Sequence, residues 1–284
     1  MIGQIVLKEE IRTLVESGRF PRFSIIVGER GSESKSVPHY TVGVFLGTHN
    51  EYEFADAITL PDNKVGTIRD YINLAYSQTV PIIYVIPDGD NMSVQAINTL
   101  LKVTEEPPNS AYFMMLVENE ANILETIKSR AYIFRMGKYT KSELSEYMHN
   151  TYDCVPGIEV DVCTTPGEID ILMHQRIVGD RNLAEYSYYF SSNVVNVSGA
   201  KALTLTDDVS TKDGDGKFDT ALFLKFIQYH WLCAANKSND TEEIAKYCKS
   251  VIEAGFALKD LPIRGINRKM LLDSFVLNVR RLWK

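Results

Sequence analysis

Hydrophobic and polar positions in the first half of the chain switch repeatedly between two periods. Residues 6–18 place Val6, Ile11, Leu14 and Val15 on one face with charges opposite, which predicts an amphipathic helix. Arg22-Phe23-Ser24-Ile25-Ile26-Val27 follows as a short apolar run stopped by Gly28, and a second strand is predicted near Ala57-Ile58-Thr59-Leu60. From Lys64 to Gln78 the spacing is helical again, with Ile68, Ile72, Ala75 and Tyr76 in phase. Pro81-Ile82-Ile83-Tyr84-Val85-Ile86 is nearly all apolar, the pattern of a strand buried on both faces of a parallel sheet. Asp90-Asn91-Met92-Ser93 offers caps to a helix running to about Thr104, which Pro107-Pro108 stops. A buried-strand run from Ala111 to Val117, a helix around 123–128 and Tyr132-Ile133-Phe134 complete the series. Alternating strands and helices over residues 1–136 predict a parallel α/β layer.

The β-rich pattern fades after Gly137. Short helices are expected over 141–148, capped by Thr140, and over 167–176, then long helices at 220–236, 241–254 and 268–283. The division expected is an α/β domain (1–137), a small helical domain (138–180) and a C-terminal all-α domain (181–284). The Asp-, Gly-, Ser- and Thr-rich stretch 204–219 reads as an exposed loop.

At 284 residues the chain has room for two or three domains, and its 45% hydrophobic and 24% charged residues are ordinary globular proportions. A net charge of −7 argues against a protein that wraps nucleic acid on its own, since such binding is driven by phosphate neutralisation. No apolar run is long enough to span a bilayer, and Lys8, Glu9 and Glu10 interrupt what would be an export signal, so a cytoplasmic protein without membrane contact is expected. Cys154, Cys163, Cys233 and Cys248 form no C-x-x-C pair and are expected to be reduced. His39, His49, His149, His174 and His230 share no ligand spacing, so no metal site is expected. Asp213-Gly214-Asp215-Gly216 superficially resembles a calcium loop. Its register puts Leu222 where a bidentate glutamate is needed, and a solvated turn before an Asp219 helix cap fits better.

The first candidate chemistry lies after the first strand, in Gly28-Glu29-Arg30-Gly31-Ser32-Glu33-Ser34-Lys35-Ser36. A phosphate loop reads G-x-x-x-x-G-K-[ST], its glycines letting backbone N–H groups close around the phosphates. Lys35-Ser36 fits, but Ser34 replaces the glycine before the lysine and the loop is one residue longer. Glu29 and Glu33 bring carboxylates to the place of a triphosphate. Gly28, Gly31, Lys35 and Ser36 are thus the remains of a nucleotide site, expected not to hold ATP productively. A plain strand–helix turn is the alternative.

Further along, Asn98-Thr99-Leu100-Leu101-Lys102-Val103-Thr104-Glu105-Glu106-Pro107-Pro108 and then Ser129-Arg130 resemble the N-x-L-L-K-x-x-E-E-P-P and S-R-C motifs of the AAA+ subunits of DNA sliding-clamp loaders. Thr67–Ile72 and Asn91–Asn98 are similar to the flanking helices of that family. Ala131 replaces the motif cysteine, and the family's four-cysteine zinc module is absent. The resemblance implies a RecA-like parallel sheet with flanking helices, a helical lid and an all-α collar. It puts Pro87 where a motor subunit has its Mg²⁺-orienting aspartate, Asp88 at the glutamate position, and Glu168 where a nucleotide-sensing arginine is usual. It makes Ser129-Arg130 an arginine finger serving a neighbour's ATP, although an arginine there also suits a helix C-terminus. The combination implies a delta-prime-like, non-catalytic subunit that binds no cofactor of its own, ATP and Mg²⁺ lying in the neighbouring subunit. Its partners would be the other subunits of a hetero-pentameric loader, primer–template DNA within that assembly and, indirectly, the sliding clamp. An active ATPase with an unorthodox loop and an AAA+-derived interaction scaffold remain open beside it.

Overall fold

Strands β1 (Phe23–Val27), β2 (Ala57–Thr59), β3 (Ile82–Ile86), β4 (Ala111–Val117) and β5 (Tyr132–Arg135) form one all-parallel sheet in the order β2-β3-β4-β1-β5. The computed structural model describes residues 1–48, 56–174, 176–178, 181–210, 219–261 and 266–284. The Asp213–Gly216 stretch and His49 lie outside these residues.

The sheet is covered on both faces, which is why its strands are so apolar. Ile25, Tyr84, Phe113 and Met115 point to one side and pack with Ile68 and Ile72 of α3 (Val65–Ser77) and Ile97 and Leu100 of α4 (Val94–Glu105). Ile26, Val85, Met114 and Phe134 point to the other, against Leu7, Ile11 and Val15 of α1 (Ile5–Glu16) and Val37, Val42 and Phe45 of α2 (Ser36–Thr48). Val6, expected on the inward stripe of α1, is 79% exposed and Leu7 takes its place. Ser93 is the side-chain cap of α4, its Oγ accepting from the Ala96 N–H at 3.2 Å. The short α5 (Glu125–Lys128) leads into β5.

The helices that follow are α6 (Lys141–Tyr152), α7 (Glu159–Val162) and α8 (Pro166–His174). A short antiparallel hairpin, β6 (Arg176–Val178) with β7 (Arg181–Asn182), precedes α9 (Leu183–Asn193), α10 (Gly199–Thr204), α11 (Asp207–Ser210), α12 (Thr220–Lys237), α13 (Thr241–Asp260) and α14 (Arg268–Leu282). Two compact units result: Met1–Thr151 with Thr165–Gly167, and Tyr152–Thr164 with Glu168–Lys284. In the second, α12 is the central helix, burying Leu222, Phe223, Phe226, Ile227 and Trp231. The start of the expected loop 204–219 is instead ordered: Thr206 and Val209 are buried, and Lys269 bonds the Leu203 carbonyl and pairs with Asp207 and Asp273. Asp219 caps α12 through the Leu222 N–H at 2.9 Å. Among the described residues no helix is long and apolar enough to cross a membrane.

Candidate functional site

Because β3, β4 and β1 are adjacent and parallel, their carboxyl ends open on one edge of the sheet, the usual place for a ligand in such a fold. The loop 28–36 leaves β1 at that edge. Its first amide is held by the sheet, Gly28 N–H donating to the Val117 carbonyl at 3.0 Å. Gly31 turns the chain at φ +80, a conformation glycine adopts without strain. Several donors that a phosphate would need are already spent. Ser32 N–H donates to the Glu29 carbonyl at 2.8 Å, Glu33 N–H to the Tyr139 hydroxyl at 3.2 Å, and Ser36 N–H to the Glu33 carbonyl. Ser32 Oγ and Met136 Sδ fill the space where a Cβ of residue 28 would stand. The Ser32 hydroxyl is buried without a hydrogen-bond partner, one orphan polar atom in the loop.

The loop is also gripped from outside. Glu33 accepts the Ile2 N–H at 2.6 Å, so its carboxylate is turned to the chain itself. Gly167 N–H donates to the Gly31 carbonyl at 2.8 Å, and Thr165, 2% exposed, donates its hydroxyl to the Arg30 carbonyl at 3.3 Å. A Cβ at residue 167 would lie 2.6 Å from Gly31 Cα, so only glycine allows this approach. Lys35 is exposed and forms no ion pair among the described residues. Burial raises the Tyr139 phenol above its ordinary range, which keeps it protonated beside the loop.

Beyond β3, Pro87 offers no side-chain ligand. Asp88 follows in the left-handed region at φ 53, exposed, its Oδ1 accepting from Asn91 Nδ2 at 2.7 Å and its carbonyl from Asn63 Nδ2 at 2.8 Å. Asp90, read from the sequence as one of several possible helix caps, instead ties the end of β3 to that of β4. Its two oxygens accept the Glu118 N–H at 2.6 Å and the Asn119 N–H at 2.9 Å. Partial desolvation raises the Glu118 carboxyl; Arg30 opposes that shift, while Asp90 and Asp88 add to it. Three carboxylates therefore share this crevice edge with one nearby arginine. Among the described residues no three His, Cys, Asp or Glu side chains converge as metal ligands would. At this edge Pro87 offers no side-chain ligand, three carboxylates crowd together, and part of the loop's backbone is bonded to the chain itself.

Ser129 and Arg130 lie elsewhere. Arg130 follows α5 and stands two residues before Tyr132, which opens β5 beside Ser24 at the start of β1. It therefore sits at the amino edge of the sheet, with on the order of 10–13 Å of strand between it and the phosphate-loop edge. Arg130 Nη1 donates to the Thr126 carbonyl at 3.1 Å, and Nη2 lies 3.4 Å from Glu105 Oε1. Ser129 Oγ donates to the same Thr126 carbonyl at 3.2 Å. The Arg130 side chain remains 42% exposed. Glu168 is committed to structure, accepting from Thr164 N–H at 2.8 Å and pairing with Lys225.

Glu105 stood within the Asn98–Pro108 motif without a role of its own, whereas Tyr139 and Glu118 were not singled out by reading the sequence. Tyr139 and Glu118 act through contacts with residues far along the chain, and neither belongs to a local motif with its own chemical signature. Asp90 carried a signal, in its repeat of aspartates after an apolar strand, but that signal was equally consistent with capping.

A family model described as DNA polymerase III, delta subunit, matches residues 14–140. DNA polymerase III subunit tau of Bacillus subtilis is 26% identical over 145 residues, 50% of this chain and 25% of that protein. DNA polymerase III subunit delta' of Buchnera aphidicola (subspecies Baizongia pistaciae) is 31% identical over 88 residues, 30% of this chain and 26% of that protein. The matched region thus spans about a quarter of these relatives. Among solved structures, a DNA polymerase III gamma subunit-related protein from Thermotoga maritima superposes with a TM-score of 0.56 at 17% identity, covering 98% of this chain and 100% of that one, a likeness of fold. Residues 14–140, which contain the five-stranded parallel sheet, are thus similar to DNA polymerase III delta subunits, and the chain as a whole shares the fold of the gamma subunit-related protein.

Proposed function

We propose that this chain is a non-catalytic, delta-prime-like subunit of a sliding-clamp loader, which helps form the ring and presents Arg130 to ATP held by an adjacent subunit. One observation carries the reading: Arg130 stands at the sheet edge opposite its own phosphate loop. A guanidinium placed there cannot reach a nucleotide on its own chain, but it is open to one on another. Arginine suits the task because it is charged at all working pH values and its fork matches phosphate oxygens. Its hold on Glu105 is a solvent-exposed pair of about 0.2–1 kcal/mol, weak enough to yield to a triphosphate.

The self-bonded loop, Pro87 and the crowd of carboxylates support the other half of the reading, that no productive ATP is held here. This chain then acts by position alone, and the bond-breaking chemistry belongs to the neighbour. Primer–template DNA would be met within the assembly, in keeping with a net charge of −7.

The test has two parts. Calorimetry of the isolated chain with Mg-ATP should give no binding at micromolar concentrations; tight binding favours an active ATPase instead. In a loader reconstituted with motor subunits, Arg130→Ala should leave assembly intact and slow ATP hydrolysis at the adjoining site, by up to roughly 10³-fold if a finger of ordinary strength is removed. An unchanged rate in an assembled ring rules the finger out.

A further inference from the structure

The second compact unit contains a cavity of about 790 Å³ between α7, α9, α12 and α13. Tyr188, Tyr229 and Tyr247 are among its walls. His230 lies against two of them edge-on, its ring centroid 5.3 Å from Tyr188 and 5.9 Å from Tyr229. Its Nε2 is buried with no hydrogen-bond partner. Burial pushes the imidazole below its ordinary range, opposed by a hydrogen bond to the Ala184 backbone, so at neutral pH the ring is uncharged. With Nδ1–H turned to that carbonyl, Nε2 is a buried acceptor left without a donor on a ring that lines the cavity.

The charged lining completes the description. Glu159 and Glu185 line the cavity, with Lys237 the cation among its walls. Glu159 Oε2 accepts the Gly157 N–H at 2.9 Å, and Glu185 Oε2 accepts the Asn182 N–H at 3.1 Å. In each the second oxygen, Oε1, is left unengaged among the described residues. Asp161 holds the Tyr229 hydroxyl at 3.2 Å and adds a further negative charge next to the wall. Aromatic rings, an unused buried acceptor and surplus carboxylate together repel anions. They suit a planar cation that carries several N–H donors and stacks on rings, which describes a guanidinium better than an ammonium. The volume exceeds that of one side chain, leaving room for the backbone that carries it.

We propose that this cavity receives an arginine side chain borne by a partner protein. Charge complementarity and the orphan acceptor at His230 select that occupant. The inference is independent of the reading of the nucleotide loop, which lies in the other unit.

The probe is the peptide acetyl-Ala-Ala-Arg-Ala-Ala-amide, with its citrulline twin as the neutral isostere, titrated into the full chain by calorimetry while the His230 nitrogen resonance is followed. The arginine peptide should bind with Kd below about 1 mM, about tenfold tighter than the citrulline twin, and should shift His230 Nε2. Tyr188→Ala, at a 63% exposed residue and so tolerated by the fold, should weaken binding about fivefold, and Glu159→Gln should do likewise. Equal binding of the citrulline twin overturns the proposal, as does an unmoved His230 resonance, or wild-type affinity in both variants. Free arginine amide binding as tightly as the peptide overturns the partner-chain part, assigning the cavity to a small molecule.

Discussion

Replacing Gly167 by alanine should loosen the phosphate-loop region. The new Cβ would stand 2.6 Å from Gly31 Cα and 2.8 Å from the Gly31 carbonyl oxygen, against a carbon–carbon optimum of about 3.5–4.0 Å. Both obstacles are backbone, so neither can rotate away; the loop and the first turn of α8 must part by about 1 Å. Relieving such overpacking costs about 1–3 kcal/mol. Weakening the 2.8 Å bond from Gly167 N–H to the Gly31 carbonyl adds about 0.5–1.5 kcal/mol. Alanine returns up to about 1 kcal/mol through its better helix propensity. The net loss is then about 1–3 kcal/mol, or roughly 3–10 °C in the transition of a unit this size. Because the chain has two compact units, a single global transition is not assumed, and amide exchange over residues 28–36 should be followed with the melt. Protection there should fall. A variant that melts with the wild type and keeps its loop amides protected would refute the claim that the approach of Gly167 pins the loop.

Gly43→Ala is the complementary case: this exposed glycine lies inside α2 with nothing within 4 Å of a built Cβ, so thermal unfolding should shift upward by the equivalent of about 0.5–1 kcal/mol. Arg130→Ala should change stability by no more than about 1 kcal/mol in a urea titration, since it deletes one exposed ion pair and one bond to the Thr126 carbonyl. Phe113→Ala, at a ring 1% exposed in the middle of the sheet, should cost about 3–5 kcal/mol by the same measurement. His230 supplies a pH dependence. Its folded-state pKa lies below the unfolded value of about 6.5, so the unfolded chain binds the proton first as pH falls. Its contribution is complete above about pH 6.5 and declines as pH drops from there toward the folded value, a slope that His230→Gln should remove from urea midpoints measured between pH 8 and 5.

The strands were legible because each carries its burial in its own residues: Ile82–Ile86 is apolar throughout and is buried throughout. Helix positions were legible to within a face. Val6 and Leu7 are adjacent and both apolar, so hydrophobicity alone did not decide which one turns inward; Leu7 continues the spacing to Ile11 and Val15, and wins. The start of the 204–219 stretch misled for a different reason. Its polar residues look solvated, yet Thr206 is buried because its hydroxyl donates to Asp273 at 2.6 Å, a partner on α14 that no local window contains.

The candidate site divides along the same line. Gly28, Gly31, Lys35 and Ser36 stand together on one loop because sequence neighbours must, whereas Tyr139 and Thr165–Gly167 reach that loop only through the fold. The relation of Arg130 to that loop was hidden more deeply still. A motif can name an arginine and a lysine, but it cannot say that one follows a helix into the amino end of β5 while the other leaves the carboxyl end of β1. That opposition depends on β5 running parallel beside β1, with Tyr132 level with Ser24, a pairing across more than half of the α/β domain. Once the two strands are parallel neighbours, Arg130 and the loop 28–36 are assigned to opposite edges of the sheet. The topology therefore supplies what the motif lacks, a direction, and the proposed action of Arg130 on a neighbouring chain rests on that direction.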